Sequence, residues 1–386
     1  MTGNNGITIG MLTEEQNNKM DRDFNNSLTD EALASIRRGV SSWLVASDIF
    51  SSLTPRVIRA VYKNETYRQY TNAQMLRLGL VGTNIWDFDK IEFLPFYTTL
   101  SDGSSYYHET KTQQSFTGLT AGTSYYLYVV KSTTGVFSII ASTSSSTPGS
   151  SYSGYALIGG FDTMCVSITS SNTPNTVVQG INAGQIIPNS IWCSSFRPTA
   201  YNPSGMCYCD ESTLWGDIYL QSGTKENTTS KYNATITDTR YPQNHFNDMT
   251  AVGKYLPCDH EFTQMAYGTQ NGYAINGAAD PGTTGGHTNT NGKRITSCYF
   301  LEDCCGVLWQ WLRDIGPTGG SAWTSRTLDD TYASVGSSYG NPYVLRAGGR
   351  WADSSNCGVC SRSANGSFTS LAAYGSARGV SRTKLW

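Results

Sequence analysis

The cysteines are the residues of this 386-residue chain whose types and spacing could support covalent or metal chemistry. Cys357 and Cys360 form a C-x-x-C pair, and Cys207 and Cys209 form a C-x-C pair far upstream. A structural zinc site needs two well-spaced ligand pairs, so this combination matches that pattern weakly. The adjacent cysteines at 304–305 are poor disulfide partners because the bridge would be strained. We therefore expect free, buried thiols.

The histidines offer little to a catalytic metal. The chain has four of them, none with H-x-x-x-H spacing, and His260-Glu261 does not continue as H-E-x-x-H. An iron site would need a cluster of histidines and carboxylates. We predict no catalytic residue and no cofactor, although loops rich in Asp and Asn leave room for a structural calcium or magnesium ion.

The composition favours a folded, turn-rich β protein. Charged residues make up 15% of the chain, against a usual share of about 25%, and Gly, Ser, Thr, Asn and Tyr fill the difference. The net charge is −2 without a Lys/Arg-rich block, which argues against a nucleic-acid partner. The scattered cations near the end should be solvated: Arg362, Arg378, Arg382 and Lys384.

The sequence predicts neither membrane insertion nor secretion by a signal peptide. No apolar stretch approaches about 18 residues, the length that a membrane-spanning helix needs. The N-terminus lacks a basic segment followed by an apolar run. We therefore expect synthesis in a bacterial cytoplasm, with final assembly still open to a particle outside the cell.

Three units are expected along the chain. Residues 1–50 are polar and then helical, typical of an attachment or oligomerisation region or of an ordinary packed helix. Residues 51–150 should form a small β-sandwich spacer, with a strong strand at 124–130. The serine-rich run 141–151 is interpreted as a linker. Residues 151–386 form the third unit.

Within the third unit the patterns predict one strand and two helices. The strand candidate is 155–161, and the helix candidates are 260–267 and 302–312. The long Gly/Asn/Thr loop at 280–292 is of a kind that usually serves a site or covers the surface.

Four segments of the third unit, taken in order, resemble the variable proteins of diversity-generating retroelements, a family that includes phage tropism determinants. Residues 186–198 resemble the strand that leads into the domain. Residues 260–268 resemble a helix that ends in an aromatic residue and a glycine. Residues 306–311 are similar to G-N-V-W-E-W, and residues 348–351 match G-G-x-W. The third segment departs from the family pattern at Val307, Leu308 and Gln310.

The resemblance implies a C-type-lectin fold of the formylglycine-generating-enzyme type for roughly residues 155–386. The whole chain is then expected to be mainly β with a few helices, with β-rich domains before the lectin-type domain. Trp309, Trp311 and Trp351 should lie in the core. Gly348 and Gly349 should permit a tight or positive-φ turn.

In such proteins the segment after G-G carries positions that adenine-specific mutagenesis rewrites, and the side chains at these positions contact the ligand. Arg350 and Tyr374 would be the energetic anchors, because Arg and Tyr are enriched at hot spots. By resemblance, the variable, ligand-binding positions are Arg350, Ala352, Asp353, Ser354, Ser363, Ala364, Gly366, Thr369, Ala372, Ala373, Tyr374 and Ser376. The interleaved scaffold residues are Trp351, Cys357, Phe368, Leu371 and Gly379. Four positions stay undecided: Arg346, Ser355, Ser361 and Ser370.

The resemblance thus implies a phage or prophage receptor-binding protein without enzymatic activity. It would sit in the virion tail or fibre as a homotrimer, contact other tail proteins, and bind a protein or glycan on a bacterial surface. One alternative is a formylglycine-generating oxidase, but that family's two cysteine positions correspond here to Asp353 and Gly358. A purely structural virion protein is the other alternative.

Overall fold

The computed structural model describes residues 88–325 and 337–385, except 94–95, 111, 176–177, 195, 210–211 and 370, together with a short strand at 69–70. For 69–70, 92, 317–325, 337–342 and 385 only the backbone is described. The predicted attachment region at 1–50 lies outside the described residues.

The described chain is mainly β with few helices, as the sequence predicts, and two of its helices are α-helices. Its first strands are β1 (Gln69–Tyr70), β2 (Lys90–Phe93), β3 (Phe96–Thr99), β4 (Ser105–His108), β5 (Thr112–Ser115), β6 (Ser124–Ser132), β7 (Phe137–Ser142), β8 (Tyr152–Asp162), β9 (Trp192–Cys193) and β10 (Phe196–Pro198). The later strands are β11 (Met206–Cys209), β12 (Leu214–Asp217), β13 (Gln221–Ser222), β14 (Thr229–Ser230), β15 (Trp309–Ser325), β16 (Ser337–Gly348), β17 (Gly358–Ser367), β18 (Gly375–Ser376) and β19 (Val380–Leu385). The helices are α1 (Pro242–Ala251) and α2 (Asp259–Met265).

One eight-stranded sheet crosses the predicted domain boundary near residue 150. Its order is β11-β12-β19-β10-β9-β8-β6-β7, so strands from both sides of the boundary pair directly. The serine-rich run 141–151 connects β7 to β8, the two strands that flank β6, and the Tyr128 hydroxyl donates a hydrogen bond of 3.0 Å to the Ser144 carbonyl. The linker interpretation, and with it the separation of 51–150 from 151–386, is wrong for these strands.

Both predicted strands are confirmed, whereas only one of the two predicted helices is present. Residues 124–130 fall in β6 and residues 155–161 fall in β8. The helix predicted at 260–267 is α2, whose first turn is capped by Glu261 accepting the Cys258 backbone N–H at 2.8 Å. The sequence patterns missed α1, which begins at a proline in the first helical position.

The helix predicted at 302–312 is wrong. Residues 302–308 are irregular, and Trp309 begins β15, which belongs to a four-stranded sheet of order β17-β16-β15-β18. Trp309 and Trp311 are two residues apart, the spacing that puts side chains on one face of a strand. Pairing of Gln310 with Ala347 in β16 and with Ser376 in β18 supplies the backbone hydrogen bonding that a helix would have supplied internally.

Arg378 connects the end of the chain to three earlier segments. Its side chain is 1% exposed, so the prediction of a solvated cation is wrong. Nη1 donates to the carbonyls of Asp217 (2.5 Å) and Ile218 (2.9 Å), Nη2 donates to the Glu302 carbonyl, and Nε donates to Gln310 Oε1 at 2.9 Å. Gln310 extends this hydrogen-bond network, because its Nε2 donates to the carbonyls of Asp303 and Cys304. Arg362 is also engaged, through Asp259 and Thr263.

Replacing this guanidinium should destabilise the domain strongly. Arg378→Met keeps much of the buried volume but leaves four acceptors without a donor, and each buried unpaired acceptor costs about 1–3 kcal/mol. We expect a loss of about 3 kcal/mol or more in the free energy of unfolding, measured by chemical denaturation. Arg382→Met, at an exposed neighbour, is the matched control. Equal denaturation midpoints for the two variants would contradict the assignment.

Candidate functional site

Two glycines set the direction of the C-terminal segment. Gly348 and Gly349 have φ values of +95° and +85°, as predicted, so any L side chain there would be strained. A Cβ on Gly348 would lie 2.6 Å from the Cys304 carbonyl oxygen, and one on Gly349 would lie 2.9 Å from Cys357 Cα. The chain therefore turns sharply against its own scaffold immediately before Arg350.

Arg350 and Asp353 close this turn. The Arg350 backbone N–H donates to Asp353 Oδ2 at 3.0 Å, and its Nε donates to Oδ1 at 3.2 Å. The Cys357 thiol donates to the Arg350 carbonyl at 3.3 Å. The side chains of Arg350 and Asp353 remain 32% and 20% exposed. The turn thus holds a charged pair in place while leaving part of it open to a partner.

Tyr374 joins the same surface from the far end of the segment. Its carbonyl accepts the Trp309 N–H at 3.0 Å, next to the pairing of Trp309 with Gly375. The Arg350 guanidinium carbon lies 4.5 Å from the centre of the Tyr374 ring. Arg350, Asp353 and Tyr374 therefore converge on one partly exposed surface, called here the binding face.

Arg346 is buried beside the binding face and contacts its Tyr374 ring. Its guanidinium carbon lies 5.7, 5.2 and 5.2 Å from the ring centres of Trp309, Trp311 and Tyr374, an arrangement called here the arginine stack. Its Nη2 donates to Ser363 Oγ at 2.9 Å, which ties β17 to the stack. Burial lowers the pKa of Arg346, and desolvated cation–ring contacts contribute about 2 kcal/mol.

The structure separates the predicted variable positions into accessible and buried ones. Besides the binding face, Ser363 is half-buried, and five positions are exposed: Ala352, Ser354, Ala364, Thr369 and Ala373. Ala352 and Ser354 flank Asp353, and Ala373 adjoins Tyr374, whereas no described contact joins Ala364 or Thr369 to the binding face.

Three predicted variable positions are buried, so their predicted exposure is wrong. A Cβ on Gly366 would lie 2.5 Å from the Trp311 ring. Ala372 is 0% exposed and packs in a cluster with Met249 and Trp311. Ser376 is also 0% exposed, and its hydroxyl donates to the Thr237 carbonyl at 2.8 Å. Their small side chains serve close packing and cannot touch a ligand from these positions.

The residues predicted to be scaffold or core are also partly buried and partly accessible in the structure. Trp311 is buried as predicted, and so are Cys357 and Gly379. Trp309 and Trp351 are only half-buried, so the prediction that they are core residues is wrong in part. Leu371, predicted as scaffold, is 55% exposed. Sequence reasoning placed Trp309 in the core and left Arg346 undecided, so it assigned neither residue to the site. The two-residue spacing of Trp309 and Trp311 was the available signal.

The cysteines do not form a reactive site. Most of the ten cysteines are buried. Burial raises the pKa of Cys357 to about 11 and that of Cys304 above its usual range. Within the described residues, no group of three His, Cys, Asp or Glu side chains is placed to hold a metal ion. The helices that the structure describes are too short or too polar to cross a membrane.

Comparison with known proteins gives consistent matches. The family model "Mtd second domain" matches residues 98–193, a range that also runs through residue 150. The tail fiber receptor-binding protein of Bordetella phage BPP-1 is 32% identical over 291 residues, which cover 68% of this chain and 71% of that protein. Two solved structures, the U1 and I1 variants of the major tropism determinant, superpose with a TM-score of 0.64 at 27% identity; each alignment covers 77% of this chain and 82% of theirs.

Exposed and buried positions of the segment should respond oppositely to larger side chains. Gly366→Ala places a methyl group against Trp311 and should cost about 1–3 kcal/mol of unfolding free energy, as overpacking does. Ala352→Tyr adds a far larger group on the surface and should stay within about 0.5 kcal/mol. Thermal and chemical unfolding of both variants measure the difference. A Gly366→Ala variant as stable as Ala352→Tyr would show that Gly366 is not packed against Trp311.

Proposed function

Because this chain belongs to the family of phage tail-fibre receptor-binding proteins that contains the major tropism determinants, we propose that its C-terminal segment binds a ligand on a bacterial cell surface. The observation that carries the proposal is the convergence of Arg350, Asp353 and Tyr374 on one partly exposed surface over a buried scaffold. The protein would belong to the tail or fibre of a phage or prophage virion.

The geometry suits recognition because the binding face is held before any ligand arrives. Arg350 is fixed by Asp353 and by the Tyr374 ring, and Tyr374 is fixed by the backbone of Trp309. A preordered side chain loses less conformational entropy on binding. Arg and Tyr also supply large contact areas and directional hydrogen bonds, which suit either a protein or a glycan receptor.

We extend the proposal to the type of fold and to its diversification. The turn at Gly348 and Gly349, followed by Trp351, supports a C-type-lectin fold of the formylglycine-generating-enzyme type for the C-terminal part. The exposed positions beside the binding face, Ala352, Ser354 and Ala373, support rewriting by a retroelement, because exchange there would leave the arginine stack and Arg378 untouched. The buried Gly366, Ala372 and Ser376 are removed from the proposed ligand-contacting set.

Binding without catalysis is the proposed activity. A thiol oxidase would use the thiolate form of its cysteines, whereas Cys357 is buried with a raised pKa and donates to the Arg350 carbonyl. The relatives named above are tail-fibre and tropism proteins, which agrees with this proposal. We further propose a homotrimer that contacts other tail proteins, since several copies on one particle would strengthen weak binding by about 10²–10⁴-fold.

Diversification by a retroelement predicts a template sequence near the gene. A near-copy of the codons for the C-terminal segment should lie close to the gene, beside a reverse-transcriptase gene. Its mismatches should fall at adenines and concentrate in the codons of the exposed positions, such as Ala352, Asp353 and Ala373. Sequencing the flanking DNA tests this. Mismatches spread over all four bases would rule out adenine-specific rewriting.

Removing the anchors of the binding face should weaken attachment to host cells. Arg350→Ala and Tyr374→Ala should each reduce binding at least tenfold, because hot-spot truncations typically cost about 2 kcal/mol or more. Binding of purified protein to susceptible cells, measured by fluorescence, reads out the loss, and unfolding curves exclude misfolding.

Matched controls are available on other surfaces. Tyr107→Ala removes a 66% exposed tyrosine from β4, and Arg382→Ala removes an exposed arginine from β19. Both should bind like the parent protein. If the controls lose binding as much as the anchor variants do, or if the anchor variants retain it, the binding face is not where the receptor is held.

A further inference from the structure

A second candidate site is a cleft that none of the residues of the C-terminal segment line. It is a cleft of about 760 Å³ between the ends of β6 and β8 and three loops, at 201–204, 226–232 and 251–254. Its volume falls within the range of about 300–1,000 Å³ that is typical of small-molecule sites. We call it the tyrosine cleft, after Tyr126, Tyr201 and Tyr232, which line it.

The ionisable groups in the floor of the cleft already have hydrogen-bond partners within the protein. Asp162 is buried, and its carboxylate accepts the Ser124 hydroxyl at 2.5 Å and the Gly205 N–H at 3.0 Å. Lys254 is buried too, and its ammonium group donates to Asp217 at 2.6 Å. At the rim, Glu226 and Lys231 contribute one charge of each sign. The donors to Asp162 are neutral, and burial raises its pKa to about 7, while the charge of Lys254 is balanced by Asp217. The floor therefore offers a charged ligand no strong counter-charge, which favours a neutral ligand.

Thr228 contributes a polar group that lacks a partner. Thr228 is 6% exposed, and its hydroxyl makes no hydrogen bond to any described residue. A buried hydroxyl without a partner costs free energy, so such groups usually bond to protein, water or ligand. Thr228 lines the cleft, but its hydroxyl oxygen is itself buried, so a bound molecule meets this group only after the side chain rotates.

The walls suit a molecule with both apolar and hydroxyl surface. Tyr201 is 78% exposed, and Tyr232 is half-buried with its ring 6.0 Å from that of Tyr219. The Tyr126 hydroxyl is fixed by the Ser204 hydroxyl, which donates to it at 2.7 Å. Tyrosine presents a flat apolar ring and a polar tip. Three of them around a hydroxyl-lined floor match the C–H faces and hydroxyl groups of a sugar.

We propose that the tyrosine cleft is a second binding site, for a neutral carbohydrate with several free hydroxyl groups, and that it acts independently of the binding face. Tyr201 and Tyr232 contact the sugar rings, and the hydroxyl of Thr228, once the side chain has rotated toward the cleft, hydrogen-bonds one sugar hydroxyl. Because the cleft lies outside the rewritten segment, its specificity stays constant while the binding face changes. The protein would then have one fixed contact and one replaceable contact, which together raise avidity.

Saturation-transfer NMR on the full chain tests this site directly. The probes are glucose, galactose and N-acetylglucosamine, each as the monosaccharide and as a short neutral oligosaccharide, with glucuronic acid as the charged comparison. Transfer to at least one neutral sugar is expected. Tyr201→Ala should reduce the affinity at least tenfold, and Tyr107→Ala, at another exposed tyrosine, should leave it unchanged.

Thr228→Val is the sharpest variant, because it replaces an unpartnered hydroxyl with a methyl group of similar size. We expect unchanged or slightly higher unfolding stability together with about tenfold weaker sugar binding. Transfer that survives both cleft variants, or that is lost in Arg350→Ala, would place the sugar elsewhere and overturn the proposal. Failure of every neutral sugar, preference for glucuronic acid, or a change of oligomeric state in Tyr201→Ala would overturn it too. Cell binding by the Arg350 and Tyr374 variants is a separate measurement, so the proposal for the binding face and the proposal for the cleft are tested independently.

Discussion

The buried guanidinium of Arg378 is the constraint on which the C-terminal segment depends. It bonds to the backbone at Asp217, Ile218 and Glu302 and to the side chain of Gln310, and so joins strands from both sheets. After β16 the chain turns at Gly349, runs along one edge of the four-stranded sheet as β17, and rejoins the sheet at its other edge in β18, where Gly375 lies three residues before Arg378. Both ends of a long surface segment are thereby anchored to the interior, which permits a defined face without regular structure throughout.

Within that frame, the residues of the segment perform two different physical tasks. Arg346 stacks against Trp309, Trp311 and Tyr374, and the small residues Gly366 and Ala372 let the backbone approach the Trp311 ring. Arg350, Asp353 and their exposed neighbours contribute little to that packing. Side chains of the second kind can be exchanged at small cost, because changes at surface positions usually alter stability by less than about 0.5 kcal/mol. Recognition can therefore change while the fold is preserved.

The sequence identified the family and the meeting of Arg350, Asp353 and Tyr374, because the ordered motifs and the G-G turn are local signals. It could not separate exposed from buried small residues, since Gly366 and Ala352 look alike until Trp311 is placed across the sheet. The two-residue spacing of Trp309 and Trp311 indicated a strand, but the aromatic run was interpreted as a helix. The serine-rich run at 141–151 has the composition of a linker, and only the pairing of β7 and β8 with β6 shows that it is a connection within one sheet. The burial of Arg378 depends on contacts with distant segments that no local pattern reveals.

The central claim is that the C-terminal segment is a rigid platform with exchangeable outward side chains. The most direct measurement is a saturation mutagenesis library over residues 346–378, sorted for folded protein by protease resistance. The account predicts that most substitutions at Arg350, Ala352, Asp353, Ser354 and Ala373 remain folded, while most at Gly366, Ala372, Ser376 and Arg378 do not. Uniform tolerance along the segment, or folding losses concentrated at the exposed positions, would contradict it.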